Sequence, residues 1–180
     1  HRSGSQEKKN LVAEVFIGFG SNLGDRQENI SRTLGMLKDQ PGLEIKKVSS
    51  LYETEPVEME SSNLFLNGVA EIRTSLVPQR LLSLLEEVEQ RLGRPRESKG
   101  KVLDREIDLD ILFYNDLIFS IPKLTVPHPL IHRRKFVLLP MLEIAPEFEH
   151  PYLRVPLKKL LTDLETEEKV TRCPHLTISL

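Results

Sequence analysis

The sequence predicts an α+β fold, an antiparallel sheet with helices packed on one face. Two observations carry this expectation. Strand-like apolar runs and helix-like stripes follow one another in the order β-α-β-β-α-β over residues 12–113. The second and third strands are separated by a polar stretch of about ten residues, too short for the helical crossover that parallel neighbours need.

Each element has its own signal. Residues 12–20 form a mostly apolar run with Val15, Phe16, Ile17 and Phe19, read as the first strand. A turn follows at 21–24. Asp25 is placed to cap a helix, and Glu28 three positions on completes a capping-box pattern. Ile30, Leu34 and Leu37 give that helix one apolar face, and Pro41-Gly42 ends it. Residues 43–52 read as a second strand, 53–63 as a polar loop, and 65–73 as a third strand with Phe65, Asn67, Val69, Glu71 and Arg73 on one face. Pro78 starts a second helix, where its missing N–H costs nothing. Leu81, Leu85, Val88 and Leu92 are its stripe, and Gly93 closes it. A basic loop at 94–103 leads to a fourth strand at 106–113. This succession is the split βαβ, or ferredoxin-like, arrangement, with both helices on one face of the sheet. Residues 115–180 are expected to add one short strand, a helix around 133–144 and a short helix around 157–164. No linker divides residues 11–180, which are read as one domain. Residues 1–10 are read as a tag remnant followed by a frayed polar segment.

Composition excludes several classes. With 180 residues, the chain is long enough for a sizeable core. Net charge is −2, so no global field draws it onto nucleic acid or a membrane surface. No apolar run reaches the ~18–20 residues of a spanning helix. Cys173 is the single cysteine and can form no internal disulfide. A cytoplasmic protein is expected, and a monomer, because no apolar stripe is left unassigned.

The fourth strand poses a chemical question. In DREIDLDILF, residues 104–113, Asp108 and Asp110 interrupt an otherwise apolar run. Strand alternation sends Ile107, Leu109 and Ile111 to one face and the two aspartates together to the other. Such a pair is either a solvated sheet face or a site for a hard divalent cation, of the kind held by one or two carboxylates plus substrate phosphates. Arg94, Arg96, Lys99, Lys101 and Arg105 precede the pair, with Gly100 among them. Metal ligands next to cations that can neutralise phosphate oxygens are the parts of phosphoryl transfer. Gly18, Gly20 and Gly24 do not have dinucleotide-binding spacing and are read as a tight turn with close backbone approach. His128 and His132 have helix-like metal spacing, but Pro127 and Pro129 argue against a continuous helix there.

Residues 102–116, VLDREIDLDILFYND, resemble the fourth-strand signature of the 6-hydroxymethyl-7,8-dihydropterin pyrophosphokinases. GFGSNLGDR at 18–26, SSLYETEPV at 49–57, FLN at 65–67, LTVPHP at 124–129 and HRRKFVLLPMLEIAP at 132–146 resemble further segments of that family, in the family's order. The resemblance implies the ferredoxin-like fold and an ATP-dependent pyrophosphokinase of folate biosynthesis. Such an enzyme moves the β,γ-pyrophosphoryl group of ATP to the hydroxymethyl group of the pterin and releases AMP. It implies Asp108 and Asp110 as ligands of two Mg²⁺ ions, with Arg94 and Arg105 as catalytic arginines. ATP, the co-substrate, would meet Glu89, Arg96, Arg105, Ile111, Lys123, Thr125, His128 and Arg134. Thr54, Glu55, Val57, Phe65, Asn67 and Phe136 would form the pterin site. The sequence departs from the family at Val102-Leu103-Asp104, where Trp-Gly-Pro is common, and the chain has no tryptophan.

Overall fold

The structure is a computed structural model that describes residues 12–55, 63–93, 104–178 and 180. In chain order its elements are β1 (Ala13–Ser21), α1 (Arg26–Lys38), β2 (Leu43–Val48), β3 (Tyr52–Thr54), β4 (Phe65–Thr74), α2 (Pro78–Arg91) and β5 (Asp108–Tyr114). There follow β6 (Phe119–Ile121), β7 (Leu124–Val126), a 3-10 turn (Ile131–Arg133), α3 (Lys135–Ile144), β8 (Glu149–His150), β9 (Val155–Pro156), α4 (Leu157–Asp163) and β10 (Val170–Arg172). The expected tag remnant and the basic loop at 94–103 lie outside the described residues.

The main sheet has the order β10-β3-β4-β1-β5, and β2 pairs with β4 beyond the end of β3. Every pairing is antiparallel. The helix starts form as their sequences dictate. Asp25 accepts a hydrogen bond from the Glu28 N–H at 3.1 Å, and Pro78 is the first residue of α2.

The expected second strand is broken in two. The cause is local to Ser49, whose N–H donates to Val69 O at 2.9 Å while its hydroxyl accepts from the Val69 N–H at 2.9 Å. A side-chain oxygen thus takes the acceptor role that a strand carbonyl would fill, and the chain bends between β2 and β3. The C-terminal region also holds more strand than expected. Beyond β5, five short strands form, and β10 extends the main sheet by pairing with β3.

Both faces of the sheet are packed. Val15, Ile17 and Phe19 of β1 meet Ile30, Leu34 and Leu37 of α1 and Leu81, Leu85 and Val88 of α2 in one core. Phe16, Val69, Leu112 and Phe113 meet Val137, Leu138 and Met141 of α3 and Leu157 of α4 in a second. The expectation of helices on one face therefore holds for α1 and α2, while α3 and α4 make a third layer. The run VFIGFG at 15–20 within β1, which carries no polar side chain, suits a strand buried on both sides. In β5 the second face is filled by a bulge. Phe16 pairs with Phe113 and Ile17 with Ile111, so Leu112 is the extra residue. Leu112 and Phe113 consequently both enter the second core, and Tyr114 returns to the first. Phe113 lies edge-on to Phe16 and tilted on Phe148, with ring centroids 6.2 and 4.6 Å apart.

Gly68 of β4 sits where the first core has no spare volume: a Cβ there would overlap the Phe19 ring. Gly68→Ala is expected to destabilise the fold by about 1–3 kcal/mol through overpacking. Urea unfolding should show a lower midpoint with an unchanged slope.

Candidate active site

The register of β4, β1 and β5 lines up one polar face. Asn67 pairs with Gly20, and Gly20 pairs with Asp108. Two residues along, Val69 pairs with Gly18, and Gly18 with Asp110. Side-chain alternation puts Phe65, Asn67, Asp108 and Asp110 on the face opposite α1 and α2. The two positions between them carry no side chain. The β1 strand between them offers only glycines on this face, with Asn67 Oδ1 lying over Gly20 and Leu112 over Gly18, and the Cα atoms of Asn67 and Asp108 are about 10 Å apart, two strand steps of about 5 Å. Gly20 is required by close approach: a Cβ there would overlap Asn67 Oδ1 and stand 3.5 Å from the Phe65 ring. At Gly18 the added atom would meet Leu112, so the edge of the second core runs along this position.

Each side of this face is fixed from behind. Asn67 is buried, and its Nδ2 donates to the Thr54 hydroxyl at 2.6 Å. On the opposite side, Leu109 lies between the half-buried aspartates and points into the first core. Its N–H donates to Glu89 Oε2 of α2 at 3.0 Å, and Glu89 is itself only 1% exposed. Glu89 therefore meets the backbone of the aspartate strand directly. Ile111 is likewise buried in the first core, so its side chain lies on the helix face and not on the face of the aspartates.

Arg105 is buried just ahead of β5. The Asn22 N–H donates to Arg105 O at 3.0 Å, and the Arg105 N–H donates back to Asn22 Oδ1 at 2.7 Å. The last residue of the basic run is thus anchored at its backbone by the first turn. Arg94, Arg96 and Val57 lie outside the described residues.

The other expected nucleotide residues follow β5. Lys123 is exposed in the β6–β7 turn, with φ 70°. The Thr125 hydroxyl is 3.0 Å from that of Ser120. The His128 N–H donates to Leu112 O at 2.9 Å, and its Nδ1 accepts from the Leu130 N–H at 3.2 Å. Thr125 and His128 share a cleft of about 350 Å³ with His132, His150 and Tyr152. His150 accepts the Tyr152 and Leu153 N–H groups on Nδ1, and burial, helped by His132, holds it below the usual histidine range. At the start of α3 the Arg134 guanidinium lies 5.6 Å from the centroid of the half-buried Phe136 ring. Glu55 is exposed at the end of β3.

A paired carboxylate strand and a buried amide two strands away on the same face can hold a flat polar molecule beside a charged one. Among the described residues, no group of three or more His, Cys, Asp or Glu side chains could hold a metal ion. Two carboxylates do fit Mg²⁺, which completes its shell with water and phosphate oxygens.

The model of the 7,8-dihydro-6-hydroxymethylpterin-pyrophosphokinase family matches residues 16–146. The chain belongs to this family. Membership makes it a pyrophosphokinase, a transferase that uses ATP, as the resemblance implied. The 2-amino-4-hydroxy-6-hydroxymethyldihydropteridine pyrophosphokinase of Aquifex aeolicus is 42% identical over 148 residues, 82% of this chain and 90% of the relative. The Bacillus subtilis protein of the same name is 39% identical over 158 residues, covering 88% of both chains. The folic acid synthesis protein fol1 of Schizosaccharomyces pombe is 40% identical over 163 residues, which are 90% of this chain but 22% of that protein. Among solved structures, a Plasmodium falciparum HPPK-DHPS crystallised with pteroate superposes with a TM-score of 0.66 at 15% identity, covering 84% of this chain and 44% of that one. That likeness concerns the fold.

One cluster bordering the site was not anticipated from sequence. The Tyr52 hydroxyl, on the strand beside Asn67, donates to Glu143 Oε1 of α3 at 2.6 Å. Glu143 Oε2 accepts from the Ser50 N–H at 2.7 Å, and Arg172 of β10 donates to the Ser50 hydroxyl at 2.8 Å. No sequence signal links positions 52, 143 and 172, because three separate elements meet here. Burial, followed by the hydrogen bond and charge of Glu143, raises the Tyr52 pKa well above the ordinary phenol value, against a smaller lowering by Arg172. The unfolded chain loses this proton near pH ~10, while the folded chain keeps it. Tyr52 therefore contributes stability that is fully present below about pH 10 and is lost as pH rises beyond it. Tyr52→Phe should cost about 0.5–1.5 kcal/mol at neutral pH. The gap between the two proteins in urea unfolding should narrow on moving from pH 8 to pH 11.

Proposed function

We propose that this chain transfers the β,γ-pyrophosphoryl group of ATP to the hydroxymethyl group of 6-hydroxymethyl-7,8-dihydropterin. The observation that carries this reading is the register that sets Asn67 and the Asp108–Asp110 pair on either side of Gly18 and Gly20, in a chain that belongs to the pyrophosphokinase family. The strand order β5-β1-β4, followed by β2 and β3, with α1 and α2 on one face, supports a ferredoxin-like frame within the mixed α and β architecture.

On this reading the pterin lies against Asn67. An amide offers both a donor and an acceptor, which matches a lactam and amino edge, and the Thr54 bond sets which way the Asn67 amide turns. Phe65 and Phe136 supply flat apolar surface for the ring. Thr54, Glu55 and Val57 offer backbone groups to its edge. The triphosphate lies toward Asp108 and Asp110, with Thr125, His128, Lys123, Arg134, Arg96 and Arg105 available to its oxygens. Glu89 and the backbone of Ile111 support this side from the helix face.

The chemistry is an in-line displacement at phosphorus. The pterin hydroxyl oxygen forms a bond to the β-phosphorus, and the bond from that phosphorus to the α,β-bridging oxygen breaks. AMP leaves with the electron pair, and the hydroxyl proton is released. Two Mg²⁺ ions held by Asp108 and Asp110 would supply charge neutralisation between the carboxylates and the phosphate oxygens. Arg94 and Arg105 would spread the remaining charge through planar guanidinium forks, which lysine lacks. Both substrates are small molecules, and the protein acts as a cytoplasmic monomer. Among the described residues, no helix is long and apolar enough to cross a membrane.

Incubation with ATP, Mg²⁺ and the reduced pterin should yield AMP, whereas ADP would indicate an ordinary kinase and overturn the reading. Asp108→Ala and Asp110→Ala should each lower turnover by at least about 10²-fold, since positioned charge at transferring phosphoryl groups contributes on that scale. Melting should shift by no more than about 1 kcal/mol of stability, because the buried anchors of β5 are untouched. Near-normal transfer by either variant at saturating Mg²⁺ would remove the aspartates from the site.

A further inference from the structure

Asp104 stands where the family often has proline, and the structure gives it a task. Asn22 Nδ2 donates to Asp104 Oδ1 at 2.8 Å, and Asn63 Nδ2 donates to Asp104 Oδ2 at 3.2 Å. Asn22 is 3% exposed and belongs to the turn after β1. The backbone N–H and side-chain oxygen of Asn22 also clamp both backbone polar groups of Arg105, its carbonyl and its N–H. Asn63 precedes β4, the strand that carries Asn67. Two separate segments, the first turn and the lead-in to β4, therefore converge on the end of the basic run just ahead of β5. Proline has no side-chain carboxylate to accept either bond, so this connection belongs to the present sequence.

We propose that Asn22 and Asp104 are positioning residues that fix Arg105 for pyrophosphoryl transfer. The proposal rests on the reading of Arg105 as a phosphate-binding catalytic residue. The amide of Asn22 holds the Arg105 backbone from a buried position, and Asp104 orients that amide by binding its Nδ2. This leaves Oδ1 turned to the Arg105 N–H. The link to Asn63 ties the same unit to the start of the strand that bears Asn67.

The hydrogen bonds allow an exchange. With Asn22→Asp and Asp104→Asn combined, the carboxylate then at position 22 would accept from the Arg105 N–H with one oxygen and from the new amide at position 104 with the other. The oxygen of that amide would accept from Asn63. Each of these bonds is regained and net charge is unchanged. Asn22→Asp alone places a second carboxylate against Asp104, and Asp104→Asn alone leaves one oxygen for two amide donors.

The test is single-turnover formation of AMP by rapid quench, with affinity for a non-hydrolysable ATP analogue and thermal melting measured on the same proteins. Asn22→Ala is expected to slow the single-turnover step by at least about tenfold, since small misplacement of a catalytic group is costly. Analogue affinity should change by less than about threefold, because the loss falls on the transition state. In an Arg105→Ala background, Asn22→Ala should have no further effect on the residual rate, a result that general loosening of the fold would not give. Asn22→Asp should be slow, and adding Asp104→Asn should restore the rate to within about threefold of wild type. The exchange pair carries the test if Asn22→Ala does not fold. A normal rate in Asn22→Ala beside an inactive Arg105→Ala, multiplicative losses in the double variant, or no rescue by a folded exchange pair would each overturn the positioning role alone. A wild-type protein that forms no AMP, or a fully active Arg105→Ala, would overturn the underlying reading of the site and the proposal with it.

Discussion

Antiparallel register is the constraint on which the site depends. Asn67, Gly20 and Asp108 share one row across three strands, and Gly18 and Asp110 share the next. Slipping any one pairing by a single residue would send Asn67 or the aspartates to the opposite face, into the apolar core beneath α1 and α2. The same register is what makes the two glycines useful. Gly20 leaves room for the Asn67 amide to lie over β1, and Gly18 leaves room for Leu112. Register in turn is held by burial on both faces, since Val15, Ile17 and Phe19 cannot exchange places with Phe16, Gly18 and Gly20 without burying the wrong surfaces.

Buried polar groups finish what apolar packing begins. Hydrophobic contact is nondirectional and would tolerate small shifts of β5 along or across the sheet. Directional bonds remove that freedom. Glu89 holds the Leu109 peptide between the two aspartates, Asn22 holds the Arg105 backbone on both sides, and Ser49 bonds both peptide groups of Val69. Each anchor is a buried residue that bonds to backbone. Such bonds fix the path of the chain, and the functional side chains on that path inherit the geometry. Loss of one would leave a buried donor or acceptor without its partner, which makes these positions sensitive out of proportion to their size.

The third layer explains how a sheet face can be both core and site. α3 and α4 cover the end of the face that carries Phe16, Val69, Leu112 and Phe113, and the bulge at Leu112 thickens the cover there. Gly18 marks the boundary, since its missing side chain is replaced by Leu112. The Glu143 cluster then joins this layer to β3 and, through Ser50 and Arg172, to β10. The helix layer is thereby fastened beside Asn67 at one edge of the site, while the aspartates stand at the other.

The sequence by itself determined the order of the first four strands and two helices, because period-2 and period-3.6 apolar patterns, Pro78, and the Asp25 cap are local signals. It also determined that Asp108 and Asp110 leave the core on the same side, since alternation needs only the strand. Tertiary structure decided the rest. The break at Ser49 depends on Val69, twenty positions away, so residues 43–52 alone read as one strand. The bulge at Leu112 depends on which residue of β1 lies opposite. The resemblance set Glu89 at the ATP site, and its bond to the Leu109 peptide exists only through the packing of α2 on β5. Asn22, Asp104 and Asn63, and likewise Tyr52, Glu143 and Arg172, come together from distant parts of the chain. Their hydrogen bonds exist only after the sheet has formed, so no local pattern could have announced them.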